Sequence, residues 1–351
     1  MMNNVNPLMS YSEMRVPFPE SIELWRASSA EDWKHQYFKQ SHIKSQPRLT
    51  LAEAIRVILS EGDRQEAGFD PASTLYVLYG LWGLVWEHQQ LQETFNLGDL
   101  HEAPNWMLPS RREMLIKVLK PLRNTWPSSA ESHTTESAES TLVLEYLCMA
   151  LHAPLQCLQA FAGRDGEREA RRIYPVLQEW TQTREARQAL WHAGQVYRAA
   201  EAHSSRRIRD LSMILVYQAS VTFWVYGIIT SASRRTAISN EQPHLPPQRN
   251  GAPEGLVWLD GESSPAVRRF IAISEGVPVL RDYARGYPSQ PVPEEQMPFL
   301  VVEDASATMA LAVGLLRRPL PIGEGAQVAL VNIITRLMVE IGKVAKFLQS
   351  M

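Results

Sequence analysis

The segment 211–231, LSMILVYQASVTFWVYGIITS, constrains the fold most, because it is apolar on every side over a length that could cross a membrane. Gln218, Ser220 and Thr222 interrupt it, and the sequence has no comparable second span. A helix that is apolar all round must be enclosed by other helices near the middle of a large helical protein. The segment therefore predicts a buried central helix and no membrane anchor.

Helix signals recur along the whole sequence, and several begin at a recognisable cap. Thr50 and Glu53 form a capping box, and Asp70-Pro71 supplies an N-cap followed by a proline at the first helical position. Strand-like patterning is confined to 256–259. We predict an all-α fold: a multi-helix single globular body with long proline-rich loops and at most one short β-hairpin. The predicted helices are 51–62, 72–95, 110–121, 141–163 with a kink at Pro154, 166–180, 184–203, 207–231, 264–275, 303–318 and 325–349.

Two stretches are too polar, or too rich in proline and small residues, to predict packed structure. Residues 128–140, SSAESHTTESAES, predict a mobile linker, and residues 232–256 predict a long loop or lid. The chain is thus divided into an N-terminal helical subdomain at 1–127, the linker at 128–140, and a central and C-terminal helical core at 141–351.

The last predicted helix has apolar residues at alternating steps of four and three, which is the spacing of one helix face. Such a stripe indicates either a core face or a dimer seam, so a homodimer stays open as a partner. The stripe is formed by Leu330, Ile334, Leu337, Ile341, Val344 and Leu348.

Charge and cysteine content exclude several classes of function. The 35 Lys and Arg against 38 Asp and Glu give a net charge of -3, so no basic field exists to hold nucleic acid directly. Cys148 and Cys157 fall on opposite sides of a helix, which disfavours a disulfide or a shared metal. So few cysteines, and a start without a secretory pattern, favour the nucleus or cytoplasm.

The sequence has none of the motifs that impose a catalytic geometry. It has no Gly-x-Gly-x-x-Gly, Walker loop, Gly-x-Ser-x-Gly elbow, Cys-x-x-Cys or His-Glu-x-x-His, and no aspartate cluster for magnesium and diphosphate. His152, His192 and His203 have no metal-ligand spacing among themselves or with nearby carboxylates, which indicates structural histidines. We therefore predict no metal and no cofactor.

Two successive predicted helices are unusually aromatic and carry a few polar groups among the rings. Ring faces supply apolar area and polar tips fix orientation, so the pattern suits a small-molecule cavity, although a packed aromatic core would give the same sequence. Helical spacing places Trp191, Gln195 and Arg198 on one side of the first helix, with His192 at its margin. The full set of candidate ligand-binding residues is Trp191, His192, Gln195, Tyr197, Arg198, Tyr217, Gln218, Val221 and Trp224.

Five segments together resemble the helical regulatory (middle homology) domain of fungal zinc-finger transcription factors. They are 24–33 (LWRASSAEDW), 151–155 (LHAPL), 189–200 (ALWHAGQVYRAA), 216–227 (VYQASVTFWVYG) and 266–271 (AVRRFI). The resemblance covers most of the chain and implies a helical domain that senses signals and contacts coregulators. The chain departs from that family in lacking the paired cysteines and histidines of the zinc fingers, so the base-reading part is missing.

The resemblance leaves two functions open. In the first, a stand-alone relative of the regulatory domain acts in transcriptional regulation through an apolar small molecule or a protein coregulator. In the second, the aromatic cavity serves a fungal secondary-metabolite pathway as a cofactor-free enzyme: a cyclase, isomerase or pericyclic catalyst such as a Diels-Alderase. That enzyme would work mainly by positioning a folded substrate, with His192 or Arg198 polarising a carbonyl.

Overall fold

The computed structural model of the chain is built mainly from helices in two compact units, residues 2–140 and 141–351. Helices dominate the described residues and only one small sheet accompanies them, so the predicted mainly helical class is confirmed. The structure describes residues 13–20, 22–41, 48–59, 71–97, 107–124, 135–202, 211–240, 255–283, 297–317 and 329–350.

The 2–140 unit is organised by local signals that the sequence displays. At the start of its third helix, Glu53 accepts a hydrogen bond from the Thr50 backbone at 2.8 Å, and Thr50 Oγ1 accepts one from Glu53 N, so the capping box is confirmed. The fourth helix is apolar nearly all round in sequence, yet its Tyr76 and Tyr79 are exposed, so it is not enclosed on every side. The helices are α1 (Ile22–Trp25), α2 (Ala30–Ser41), α3 (Leu51–Leu59), α4 (Pro71–Leu97), α5 (Met107–Asn124) and α6 (Thr135–Ala150), which continues into the second unit.

The 141–351 unit surrounds one long apolar helix. Helix α10 (Leu211–Asn240) packs against α7, α8, α9, α12 and α13, and Ser220 and Thr222 return their hydroxyls to carbonyls one turn earlier. By length and composition, Leu211–Thr236 could cross a membrane, as could the bent pair α6 and α7 together, but 78% of the α10 window is buried within the protein. The other helices are α7 (Leu155–Phe161), α8 (Glu167–Thr181), α9 (Arg184–Ala202), α11 (Pro265–Ile273), α12 (Ala305–Leu316) and α13 (Ala329–Ser350).

The sheet of this unit is larger than the single hairpin predicted. Strands β1 (Leu256–Trp258) and β2 (Val277–Arg281) are parallel and joined through α11, and β3 (Phe299–Val301) pairs antiparallel with β2. Gly276, just before β2, lets the chain pass close to Val257 of β1. Its φ is 101°, and an added Cβ would lie 2.6 Å from a methyl carbon of Val257. Strands this short carry too little alternation for the sequence to reveal them.

Three predicted breaks in helices are wrong. The linker 128–140 is helical from Thr135, because Glu and Ala there favour helix and Ser140 is buried, while 128–134 lies outside the described residues. The loop 232–256 begins only after Asn240, since no glycine or proline interrupts 232–240. Pro121 lies inside α5 instead of ending it, because Leu122 beyond it is buried.

Two other sequence patterns meet a mixed outcome. The predicted kink at Pro154 separates α6 from α7, which lie at 86° to each other, and no disulfide joins Cys148 to Cys157. The stripe along α13 does not form one buried face: Ile334 and Ile341 are buried, whereas Leu337 and Val344 are exposed. The buried face also includes Val331, Met338 and Ala345, so it overlaps the predicted stripe only in part.

Candidate functional site

Helices α9 and α10 pack side by side and bring together most of the nine candidate residues. Trp191, Gln195 and Tyr197 are buried on α9, and Val221 and Trp224 are buried on α10. The remaining side chains reach further outward: His192, Tyr217 and Gln218 are half-buried, and Arg198 is exposed. The aromatic rings therefore belong to the interior, and the polar candidates divide between interior and surface.

Gln195 and Arg198 face the loop that follows β1. The Gln195 amide donates to the carbonyl oxygens of Leu259 at 2.8 Å and Gly261 at 2.9 Å, and Arg198 donates to Gly261 O at 3.0 Å. Gly194 permits this contact, because a Cβ at that position would lie 2.3 Å from Leu259 O. These two candidate ligand-binding residues therefore fix α9 to the loop that follows β1.

Tyr197 is fully buried at the crossing of α9 and α10. Its hydroxyl donates to Ser220 Oγ at 2.9 Å, and Ser220 in turn donates to Val216 O at 2.6 Å. The ring of Phe223 meets the Tyr197 ring edge-on with 5.3 Å between centroids. Burial raises the pKa of Tyr197 well above its usual range, so the phenol stays neutral and serves as a core hydrogen-bond donor.

The remaining aromatic candidates pack against other rings or helices. Trp224 lies 5.8 Å from Phe161 between ring centroids, and its indole nitrogen has no hydrogen-bond partner among the residues that the structure describes. A cavity of about 900 Å³ does exist in this unit, but none of the nine candidates lines it. In the described part of the chain these rings are therefore in contact with one another or buried between helices.

His192 has a partner that its sequence neighbourhood does not reveal. Its Nδ1 lies 2.7 Å from Oε2 of Glu145, a buried carboxylate on α6, and its ring stacks on His152 with 6.0 Å between centroids. The sequence does not display this pair, because 47 residues separate His192 from Glu145. Glu145 is the only charged residue in 141–151, and an isolated acid in an apolar helix is the signal that could have identified the pair. His203 lies outside the described residues.

Asp260 is a second buried acid, and its place in an Asp-Gly pair indicates only a turn from the sequence. Its Oδ2 accepts a hydrogen bond from Arg281 N at 2.9 Å and another from the Tyr283 hydroxyl. Burial raises the pKa of Asp260, and the hydrogen bonds from Tyr283 and Arg281 oppose that rise. Arg281 also lies over the ring of Trp258, 5.7 Å from its centroid. Asp260, just after β1, and Arg281, the last residue of β2, therefore hold the carboxyl ends of the two strands together.

Metal chemistry and known relatives give no further assignment. Among the described residues no group of three or more His, Cys, Asp or Glu side chains could hold a metal ion. The chain matches no protein-family model, and comparison with curated proteins and with solved structures finds no significant relative.

Proposed function

We propose that this chain is a regulatory module that acts in transcription through a protein coregulator or an apolar small molecule, without binding DNA itself. The ordered resemblance of five segments to the helical regulatory domain of fungal zinc-finger factors supports the proposal. The net charge of -3 supports the second part, since duplex binding depends on neutralising phosphates with an excess of basic groups.

The observation that carries the proposal is the use of the polar groups on α9. Gln195 and Arg198 hold the loop after β1, and the Tyr197 hydroxyl is bound within the core. A catalytic cavity needs such groups directed at a substrate. Here they fix helices and sheet to one another, which is what a scaffold with a constant contact surface requires.

A tethered reporter tests the proposal directly. The full chain is fused to a heterologous DNA-binding domain upstream of a reporter, and its output is compared with that of the DNA-binding domain alone. We expect a severalfold change in transcription, in either direction. The variant Gly194→Ala disturbs the contact between α9 and Leu259 and should lose the effect. Its matched control is Gly314→Ala, where an added Cβ meets nothing within 4 Å, and this variant should keep the effect.

A DNA-binding measurement forms the other half of the test. The untethered chain should show no sequence-dependent affinity for duplex DNA in a mobility-shift assay across a range of salt concentrations. A reporter unchanged by a fusion of proven abundance, or a salt-sensitive complex with a defined DNA site, would contradict the proposal.

The second candidate, a cofactor-free isomerase or cyclase, is supported by one specific observation. A buried carboxylate that orients an imidazole is an arrangement used for general acid–base catalysis, and Glu145 holds His192 in that way at 2.7 Å. In this proposal His192 Nε2 exchanges a proton with the substrate while the aromatic residues exclude water.

Two variants of His192 separate catalysis from packing. Asparagine places an amide near the position of Nδ1 and keeps the contact with Glu145 but lacks Nε2, whereas alanine loses both. If the chain is an enzyme, His192→Asn should fold normally. Source cells that carry this variant should then lack the same metabolites as cells in which the gene is deleted. Wild-type metabolite profiles in the His192→Asn cells would reject the enzyme and leave the regulatory proposal untouched.

A further inference from the structure

The cavity of about 900 Å³ in the 141–351 unit lies between the sheet and the beginning of α12. Its volume falls within the range of about 300–1,000 Å³ that is usual for small-molecule sites. Apolar side chains from all three strands form its floor, including Leu256, Val277 and Phe299. We call it the sheet groove.

Small residues keep the sheet groove open. Ala307 and Ala310 form the wall on α12, where larger side chains would fill the space above the strands. Gly276 lies at the groove and adopts a φ of 101°, so its position cannot accept a side chain without strain. The volume is therefore a consequence of residue size at three positions.

Four charged side chains line the groove, and three of them are already compensated. Arg234 forms a two-point ion pair with Glu303, with nitrogen–oxygen distances of 2.5 and 2.6 Å. Asp304 accepts the hydrogen bond from Ala307 N that caps α12. Within the described part of the chain, Lys346 has neither a hydrogen bond nor an ion pair, so it is the one uncompensated charge of the lining.

The charge pattern selects the class of ligand. One free ammonium group above an apolar floor suits a molecule with a single negative charge and a hydrocarbon body. A phosphate or a dicarboxylate fits poorly, because only one cation is available and the carboxylates of Glu303 and Asp304 lie in the same lining. We propose that the sheet groove binds an apolar monocarboxylate, with its hydrocarbon on the strands and its carboxylate at Lys346.

The two contacts contribute unequally. Lys346 is exposed, so its ion pair with the ligand is screened by water and changes affinity only severalfold. The apolar floor supplies most of the affinity, since burial of a hydrocarbon chain stabilises a complex more than a screened ion pair does. This site is distinct from the α9–α10 cluster, and it does not depend on whether the chain regulates transcription.

Titration calorimetry on the full chain at low ionic strength tests the inference with three probes of equal chain length. Decanoate should bind saturably at one molecule per chain. Decanamide, which has no charge, should bind roughly three- to fivefold more weakly, because it lacks the ion pair. Decanedioate should bind worst of the three, because its second carboxylate must enter the apolar floor. No saturable binding of decanoate, or equal binding of all three, would overturn the proposal.

Matched variants locate the site. Lys346→Gln should weaken decanoate about three- to fivefold and leave decanamide unchanged, whereas Lys343→Gln, one turn away and outside the lining, should change neither. Ala310→Phe should remove binding of both probes by filling the groove, and Ala272→Phe, also an exposed alanine of a helix, should not. Since Lys346 is exposed, its variant folds even if Ala310→Phe does not. Decanoate affinity unaffected by Lys346→Gln, or lost equally with Lys343→Gln, would refute the proposed site.

Discussion

Gly194→Ala should destabilise the 141–351 unit by about 2–4 kcal/mol, although alanine is a better helix former than glycine. The added Cβ would lie 2.3 Å from Leu259 O and 2.5 Å from the attached carbon, so the backbone of the loop after β1 must move. Strain of this kind costs about 1–3 kcal/mol.

Displacing that loop also weakens the two hydrogen bonds that the next residue makes. Gln195 donates to Leu259 O and Gly261 O, and each such bond contributes about 0.5–1.5 kcal/mol net. Alanine in the middle of α9 returns about 1 kcal/mol through helix propensity. The strain and the lost bonds exceed that gain.

Urea unfolding followed by far-UV circular dichroism and by tryptophan fluorescence measures the difference. A loss of 2–4 kcal/mol lowers the midpoint by roughly 1 M for a unit of this size. Gly314→Ala on α12 is the matched control: an added Cβ there meets nothing within 4 Å, so the midpoint should stay or rise slightly. Equal midpoints for the two variants would refute the close contact between α9 and the loop.

Three further variants test burial and charge elsewhere. Trp224→Ala should cost about 3–5 kcal/mol in urea unfolding, whereas Trp224→Phe should cost clearly less, because the indole nitrogen has no partner among the described residues; equal losses would contradict this. Burial first, and then Arg111 and Arg112, lower the pKa of His88 from 6.5 to about 4, so the 2–140 unit should lose about 1–2 kcal/mol as pH falls between these values. His88→Gln should abolish that loss in urea midpoints, and an unchanged pH dependence would argue against it. Burial raises the pKa of Asp260, so the stability that its protonated side chain contributes is complete in acid and is lost as pH rises. Asp260→Asn should therefore have a higher urea midpoint than wild type towards neutral pH. A lower midpoint for the variant there would count against a buried acid.

Elements with a local signal are predictable from the sequence. Thr50 and Glu53 cap α3 as the sequence indicates, and Ser264 Oγ accepts from Val267 N at 3.3 Å at the start of α11, where Ser264-Pro265 predicts a helix. Caps involve residues three apart, so one short window contains both partners. The helix ends at Thr135 and Asn240 have no such local signal, so the ends predicted for these two helices are wrong.

The contacts of the candidate site are set by distant segments, which a single sequence does not pair. Gln195 binds carbonyls 64 and 66 residues further on, and His192 meets a carboxylate 47 residues earlier. Periodicity correctly places Trp191, Gln195 and Trp224 on helices, but it does not tell whether a face encloses a ligand or another helix. That choice depends on packing across the fold, which explains why the sequence leaves core and cavity as alternatives.

Helix α10 connects the two parts of the unit that the proposals concern. At one point it accepts the Tyr197 hydroxyl on Ser220, and further along Gly227 approaches α12 so closely that an added Cβ would lie 2.8 Å from Val302 O. Beyond that, Arg234 pairs with Glu303 at the sheet groove. A carboxylate seated at Lys346 leaves this ion pair in place, so the end of α10 stays fixed at the sheet groove when a ligand binds. The groove and the crossing with α9 therefore share one helix as support, while each keeps its own set of polar contacts.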